Sequence, residues 1–359
     1  MNRRQALQRA IGLAACAALP QSVWSLQPQL SANSFAPLKT AGSCPSRRIG
    51  VATPKASLEN PTIAEIVTRN FNLLTASGMK WVPIHPEPDK YDFTEADWNV
   101  RFARQHHMEV HGHNLCWNSP ANYPPWFKTE LNRSNARKVL AEHITTVVKR
   151  YAGQVSSWDV VNEPVVPWSK RPDGLYPGVW TDYIGPEYFD IAFQATAEAD
   201  PDALRMLNIY DVEQGTEPDE ENRKKTLQLL KQLVDRHVPI QAVGFESHLD
   251  DSLPLGGESY RNFLDDIRSL GLPLMITELD VQEDRSAPSQ DWDQNTAKYY
   301  GDYLTDFISA VNPPFIIFWS LQDRWQGGKR VQGLLQDNLT PRLNYHASID
   351  ALQRPAACS

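Results

Sequence analysis

No apolar run in the 359-residue chain approaches the roughly 20 residues that a bilayer-spanning helix requires, so a membrane span is not expected. The part that reads as folded holds no Lys/Arg-rich stretch, and the formal charge is −8. Without a basic footprint a nucleic-acid partner is excluded, and neutral polymers fit better. Cysteine is scarce: Cys16, Cys44, Cys116 and Cys358 show none of the paired spacing that structural zinc sites use. His111 and His113 stand two apart on a strand-like run and so point the same way, but no further Cys/His/Asp grouping joins them. Neither a metal nor another cofactor is expected. A glycine-rich phosphate loop, an internal repeat and a low-complexity binding module are all missing, which removes nucleotide-binding and solenoid readings.

What is present suits a globular protein: 41% hydrophobic, 22% charged and 10% aromatic residues, enough for one large domain or two small ones. Eleven tryptophans are many. Tryptophan stacks on the apolar faces of sugar rings while presenting a polar edge, and core packing is its other use. The chain opens on Arg3, Arg4 and Arg9, then an apolar stretch from Ala10 to Leu19 ended by Pro20, so residues 1–26 read as an export signal. Arg3-Arg4 with Leu7 fits a twin-arginine signal, and Leu13-Ala14-Ala15-Cys16 also fits a lipoprotein box after an unusually short apolar stretch. A secreted or periplasmic protein is expected. Residues 27–45, rich in Ser, Pro, Ala and Gln without periodicity, read as a linker.

From Ile49 on, short apolar runs alternate with amphipathic helical patterns. Strands are expected at 48–53, 71–75, 109–113, 155–162, 204–210, 240–245, 273–281 and 315–320, with helices at 95–106, 134–151, 187–199, 219–237, 260–270 and 291–311. This alternation predicts an α/β fold, a (β/α)8 TIM barrel over residues 46–355, rather than an open doubly wound sheet. His113, Asn162-Glu163, Asp211, Glu246 with His248, Glu278 and Trp319 all fall at strand carboxyl ends, the face where barrels build their sites. Cys44 and Cys358 lie just outside the first and last elements, which a closed barrel makes neighbours, so they are a disulfide candidate; two exposed thiols are the alternative. Cys116 reads as a small buried hydrophobe.

Glu163 and Glu278 each close an apolar, β-branched run. An ionised carboxylate at the end of a buried strand must be hydrogen-bonded or paired, and a facing pair of carboxyls is what glycosidic bond cleavage uses. Unrelated capping or ion-paired acids are the bland alternative. By strand count Glu163 ends the fourth strand and Glu278 the seventh, which places them across one barrel mouth. If Glu278 is the ionised member of the pair, its charge raises the pKa of Glu163 by repulsion.

Phe71-Asn72 with Met79-Lys80-Trp81, His111 through Trp117, Trp158 through Glu163, Gly244 through His248, Ile276 through Asp280, and Trp319 with Asp323 together resemble the family 10 glycoside hydrolases, retaining endo-β-1,4-xylanases, from about residue 49 to 350. The resemblance implies Glu163 as acid/base and Glu278 as nucleophile. It further implies that Asn162 bonds the sugar 2-hydroxyl, that His248 orients the nucleophile, and that Asp280 tunes His248. His113, Trp117 and Trp319 would wall the cleavage subsite and Lys80 would donate to the neighbouring sugar. A monomer acting on a polysaccharide or oligosaccharide is implied.

The pattern breaks in places. Ala76 and Ser77 stand where the family has a sugar-gripping Glu-Asn pair; Asn118 and Pro120 replace a His and a Gln; Glu246 replaces a glutamine and joins the substrate-binding candidates; Ser320 and Trp325 mark an altered loop after Trp319. Three readings follow: a xylanase-like β-glycanase with altered glycone subsites, a hydrolase of another β-linked glycan such as an exopolysaccharide or decorated plant glycoside, and a non-catalytic carbohydrate-binding protein. Intact Glu163, Asn162, His248 and Glu278 argue against the third.

Overall fold

The computed structural model describes residues 35–42, 44, 46–283, 291–326 and 329–354. The expected export signal therefore lies outside the described residues, as does Cys358; Cys44 itself is disulfide-bonded. Among the described residues no helix is long and apolar enough to cross a membrane.

Eight parallel strands form the barrel: β1 (Arg48–Ala52), β2 (Leu73–Ala76), β3 (Glu109–Gly112), β4 (Ser157–Asn162), β5 (Leu204–Ile209), β6 (Ala242–Phe245), β7 (Leu274–Glu283) and β8 (Phe315–Phe318). Each pairs with the next, and β8 pairs with β1 to close the ring. The helices that follow are α1 (Pro61–Asn70), α2 (Thr94–Gln105), α3 (Ala136–Arg150), α4 (Tyr188–Ala199), α5 (Glu217–Asp235), α6 (Gly257–Ser269), α7 (Trp292–Val311) and α8 (Leu343–Gln353). The expected (β/α)8 barrel is what the chain forms. Helices α1 and α8 were not singled out from sequence. Helix α1 is announced locally by Asn60, whose side chain caps Thr62 and Ile63 N–H, with Pro61 at the first helical position.

Residues 35–42 fall inside the expected linker, yet they pack on the barrel. Leu38 is fully buried in a short 3-10 turn, Lys39 Nζ donates to Thr68 O at 2.7 Å, and Tyr345 Oη donates to Ala36 O at 2.7 Å. Absence of periodicity over so short a stretch does not mean absence of packing.

The barrel lumen is layered. At its amino end Leu73, Met206, Ala242, Met275, Phe315 and Ile317 form an apolar plug separate from the main core between strands and helices. Two residues further along β5 and β7 the same inward face turns polar, as the period of two demands: Met206 is followed by Asn208 and Met275 by Thr277, and Gly244 after Ala242 on β6 leaves them room. The apolar plug shuts one end; the polar layer is offered at the other.

Candidate active site

Two bulges break the period of two and crowd the lumen with polar groups. Pairing of β8 with β7 slips between Ile276 and Leu279, so Thr277 and Glu278, adjacent in sequence, both reach Asn208: Thr277 Oγ1 donates to Asn208 Oδ1 at 2.6 Å and Asn208 Nδ2 donates to Glu278 Oε1 at 2.8 Å. A second slip between Asp159 and Val161 lets Asp159 and Asn162, three apart, both face inward. Asp159 Oδ2 meets His111 Nε2 at 2.8 Å and His113 Nδ1 at 2.9 Å, while Asn162 Oδ1 accepts from Asn208 at 2.8 Å.

Glu163 follows β4 directly, with a left-handed φ of 46° and its own N–H bonded to Asn208 O at 2.9 Å. Asn162 Nδ2 reaches Glu163 Oε1 at 3.4 Å. A chain of side-chain hydrogen bonds therefore runs from Glu163 through Asn162 and Asn208 to Glu278, and the two acids share one site. The short strand Cys116–Trp117 pairs beside β4 with Trp117 opposite Asn162, and Lys80 Nζ lies 4.9 Å from the centre of the Trp117 ring. Across the site the Trp319 ring meets His113 and His248 edge-on, centroids 5.1 and 6.1 Å away.

His248 is held by the strand His248–Asp250, which pairs with the extension of β7 so that His248 faces Asp280. Its Nδ1 is 2.8 Å from Asp280 Oδ1 and its Nε2 3.3 Å from Glu278 Oε2. Burial alone would lower the imidazole pKa; Asp280 and Glu278 outweigh it and hold His248 well above its ordinary value, as a cation at neutral pH. Asp280 in turn gives Oδ2 to Arg324 at 2.5 Å, and His248 and Arg324 together outweigh burial and keep it below the usual carboxylate range.

The two principal acids are poised in opposite directions. Glu163 is pushed up to about 7, by burial first; the Trp117 indole beside it opposes this, the Glu278 charge adds to it, and His248 and Lys80 offset part. Repulsion by Glu278, expected from sequence as the main cause, is thus second to desolvation among the influences that raise it. Burial also pushes on Glu278, but His113 and His248 more than cancel it and leave that carboxyl below its ordinary value. Glu163 thus holds its proton to higher pH than an ordinary carboxyl, while Glu278 favours the anion.

Every sequence-predicted site residue from Lys80 to Trp319 thus falls around this one barrel mouth. Sequence reasoning missed Asn208, Asp159 and Arg324. Asn208 carried a signal: a lone amide two residues beyond the plug residue Met206, opposite Gly244, where a Cβ would come within 2.5 Å of Asn208 Oδ1. His111, considered only as a metal candidate, serves Asp159 instead.

Two triplets, His113–Asp159–Glu278 and Glu246–His248–Glu278, bring donor atoms within 4.8 Å of one another. A metal needs the imidazole as free base, whereas both His248 nitrogens are committed to carboxylates, so that group reads as a hydrogen-bonded ion-pair network.

Residues 38–351 match the model of Glycosyl hydrolase family 10. The chain belongs to this family. Among its relatives, Endo-1,4-beta-xylanase B of Thermotoga neapolitana is 38% identical over 221 residues, 60% of this chain and 60% of that protein. Endo-1,4-beta-xylanase A of Caldicellulosiruptor sp. (strain Rt8B.4) is 30% identical over 324 residues, 84% of this chain but 46% of the relative. The matched part thus spans about half to three fifths of the length of these curated family 10 relatives. Native xylanase 10B from Thermotoga maritima superposes with a TM-score of 0.80 at 32% identity, covering 89% of this chain and 98% of that structure.

Of the positions read from sequence as departures, Ser77, Asn118 and Pro120 take part in the scaffold. Ser77 Oγ donates to Glu95 at 2.7 Å and accepts from Asn99 Nδ2 at 3.0 Å, so α2 holds it. Asn118 is buried, its Oδ1 accepting from Trp180 N–H at 3.0 Å. Pro120 opens a short 3-10 turn, Pro120–Asn122.

Proposed function

We propose that this family 10 member is an exported, retaining β-glycoside hydrolase of the endo-xylanase type whose glycone subsites are altered. The observation that carries the reading is the placement of two buried carboxyls at one barrel mouth, joined by hydrogen bonds through Asn162 and Asn208. In the first step Glu278 attacks the anomeric carbon as Glu163 gives its proton to the departing glycosidic oxygen. The Glu278 charge is consumed in the bond, which removes its repulsion of Glu163. Glu163, left ionised by the proton transfer, takes a proton from water as the water oxygen attacks the anomeric carbon and displaces Glu278 with net retention. His248 follows the change in charge from a cationic position beside Glu278, and Asn208 bonds the nucleophile without contributing charge.

Its substrate is a β-linked polysaccharide or oligosaccharide, with xylan first because the relatives named above are endo-1,4-beta-xylanases. A second reading, a different β-linked glycan, is favoured by Ser77 and Asn118, whose side chains are spent on the scaffold. Each missing sugar hydrogen bond removes about 0.5–1.5 kcal/mol, so three or four weaken xylan binding by a few powers of ten. Export is supported by the arginine-led apolar stretch before Pro20.

A panel of β-linked polysaccharides and aryl glycosides, with Glu278→Ala as blank, tests the substrate. Azide tests the roles. With Glu278→Ala the azide ion attacks in place of the nucleophile and gives the inverted glycosyl azide; with Glu163→Ala it attacks the glycosyl-enzyme and gives the retained one. The same anomer from both variants would overturn the assignment, and failure of a 2-fluoroglycoside to label Glu278 would point to a binding protein.

A further inference from the structure

Glu246 ends β6 with its side chain buried in the same lumen, only 2% exposed, and the mechanism above does not use it. Its Oε1 lies 3.3 Å from Asn208 Nδ2 and its Oε2 3.8 Å from His248 Nε2. Both donors are already better engaged. The two hydrogens of the Asn208 amide serve Asn162 and Glu278, each at 2.8 Å, and His248 Nε2 is closer to Glu278 at 3.3 Å. Glu278 thus takes the stronger share of both donors and Glu246 the longer, weaker contact with each. One oxygen of Glu246 and one of Glu278 also lie within 4.8 Å of each other. Two carboxyls that close and that unequally supported cannot both ionise near neutrality, and the proton stays on the one with poorer donors.

We propose that Glu246 is a pH-determining positioning residue that works as a neutral carboxyl, its hydroxyl a hydrogen-bond donor beside the nucleophile, and that losing this proton closes the active range on the alkaline side. The inference rests on the glycosidase reading of Glu278. Since Oε1 accepts from Asn208, the proton belongs on Oε2, next to His248 Nε2 and Glu278. The groups that face Glu246 push the same way or are already committed: Glu278 on β7, Asp159 on β4, Glu163 just after it, and Glu213 and Tyr210 on the loop after β5 are anionic or acidic, and the neighbouring cation, His248, is shared with Asp280 and Glu278. Burial first, then the Glu278, Glu163, Asp159 and Glu213 charges, hold its pKa well above the ordinary carboxylate value. A neutral carboxyl keeps a donor where glutamine would have one, but only below its pKa. Once ionised it competes for the His248 proton and repels Glu278 from its place.

The test separates Glu246 from Glu163 by substrate. A 2,4-dinitrophenyl β-glycoside leaves without a proton, so kcat/KM for it reports on the nucleophile's surroundings and not on Glu163. Profiles of wild type and Glu246→Gln are compared, each normalised to its own maximum. In parallel the side-chain carboxyl carbons of both proteins are titrated by NMR, the variant serving to assign Glu246. The expected result is an alkaline inflection that moves up by about one unit or more in Glu246→Gln, and a protonated carboxyl at neutral pH that is missing from the variant's spectrum. Superimposable profiles, or a Glu246 carboxyl ionised at neutral pH, overturn the proposal. If neither protein turns over or labels any aryl glycoside, the glycosidase reading fails, and the carboxyl titration still decides the state of Glu246.

Discussion

Asn208 donates one hydrogen to Glu278 Oε1 and its other to Asn162 Oδ1, both at 2.8 Å, while Thr277 and the space left by Gly244 fix the orientation of its amide. A neutral donor so held supports the Glu278 carboxylate, the proposed nucleophile, without pairing away its charge. Replacing it with alanine leaves Glu278 dependent on the two histidines and frees Asn162 to turn. Asn208→Ala is expected to lower kcat by about 10²–10³, the size typical of losing one preorganised donor, with little change in melting temperature. A loss below about fivefold would show that the histidines alone position the nucleophile.

On the proposed mechanism, turnover of a natural glycoside needs Glu278 ionised and Glu163 protonated. The first is fulfilled from below the usual carboxylate range upward, because the Glu278 pKa is depressed. The second is lost as pH rises through about 7, where Glu163 gives up its proton. The kcat/KM profile should therefore be a bell with its alkaline limb near that value; Glu163→Gln should remove that limb, leaving only the one assigned to Glu246, together with most of the activity on substrates with poor leaving groups. An alkaline limb that persists unchanged in Glu163→Gln would assign it elsewhere.

Arg324, on the loop after β8, is bonded to Asp280 Oδ2 at 2.5 Å and to Ser320 Oγ at 2.9 Å. It draws on the same carboxylate that holds His248, so the loop is tied to the nucleophile through Asp280 and His248. Arg324→Gln removes a charge-assisted bond of about 1.5 kcal/mol, and a decrease of about tenfold in kcat/KM is expected, carried by kcat. As a positioning residue it should be rescued in part by Arg324→Lys; a change in KM alone would instead mark it as a sugar contact.

Gly244→Ala is the sharpest packing test. The added Cβ would sit 2.5 Å from Asn208 Oδ1 and 2.6 Å from Thr277 Cγ2, and neither is the free end of a flexible chain. A cost of about 1–3 kcal/mol follows, read as a fall in melting temperature by thermal unfolding, and kcat should fall with it because Asn208 is displaced. Full activity in this variant would mean that the Asn208 amide is not under positional constraint.

Strand existence and order were legible because each barrel strand is a short apolar run between amphipathic helices, and the two acids were legible because they interrupt such runs at their carboxyl ends. Asn208 keeps the inward period set by Met206, but one amide in an apolar run names no partner; Asp159 and Asn162 share the inward side, and Thr277 and Glu278 both reach Asn208, only where register slips in β4 and β7, and a slip of register is not written in composition. Arg324 was hidden for another reason: its partner Asp280 is on a different strand. The packing of residues 35–42 escaped because one buried side chain, Leu38, and a few backbone acceptors suffice to dock so short a segment.

The seam where β8 meets β1 holds a final implication. Arg47 donates to Asn312 Oδ1 at 2.6 Å and to Pro313 O at 3.1 Å, Arg48 N–H to Pro314 O at 2.9 Å, and Tyr345 Oη bridges Ala36 O and Asn70 Oδ1, each at 2.7 Å. Ribbons at opposite ends of the polypeptide are thus each other's neighbours, and until the last of them arrives two unpaired sheet margins stay exposed to any passing backbone. A nascent chain stalled before Phe315 should be a sticky, protease-sensitive open sheet, so that synthesis, more than equilibrium stability, is where this architecture is vulnerable.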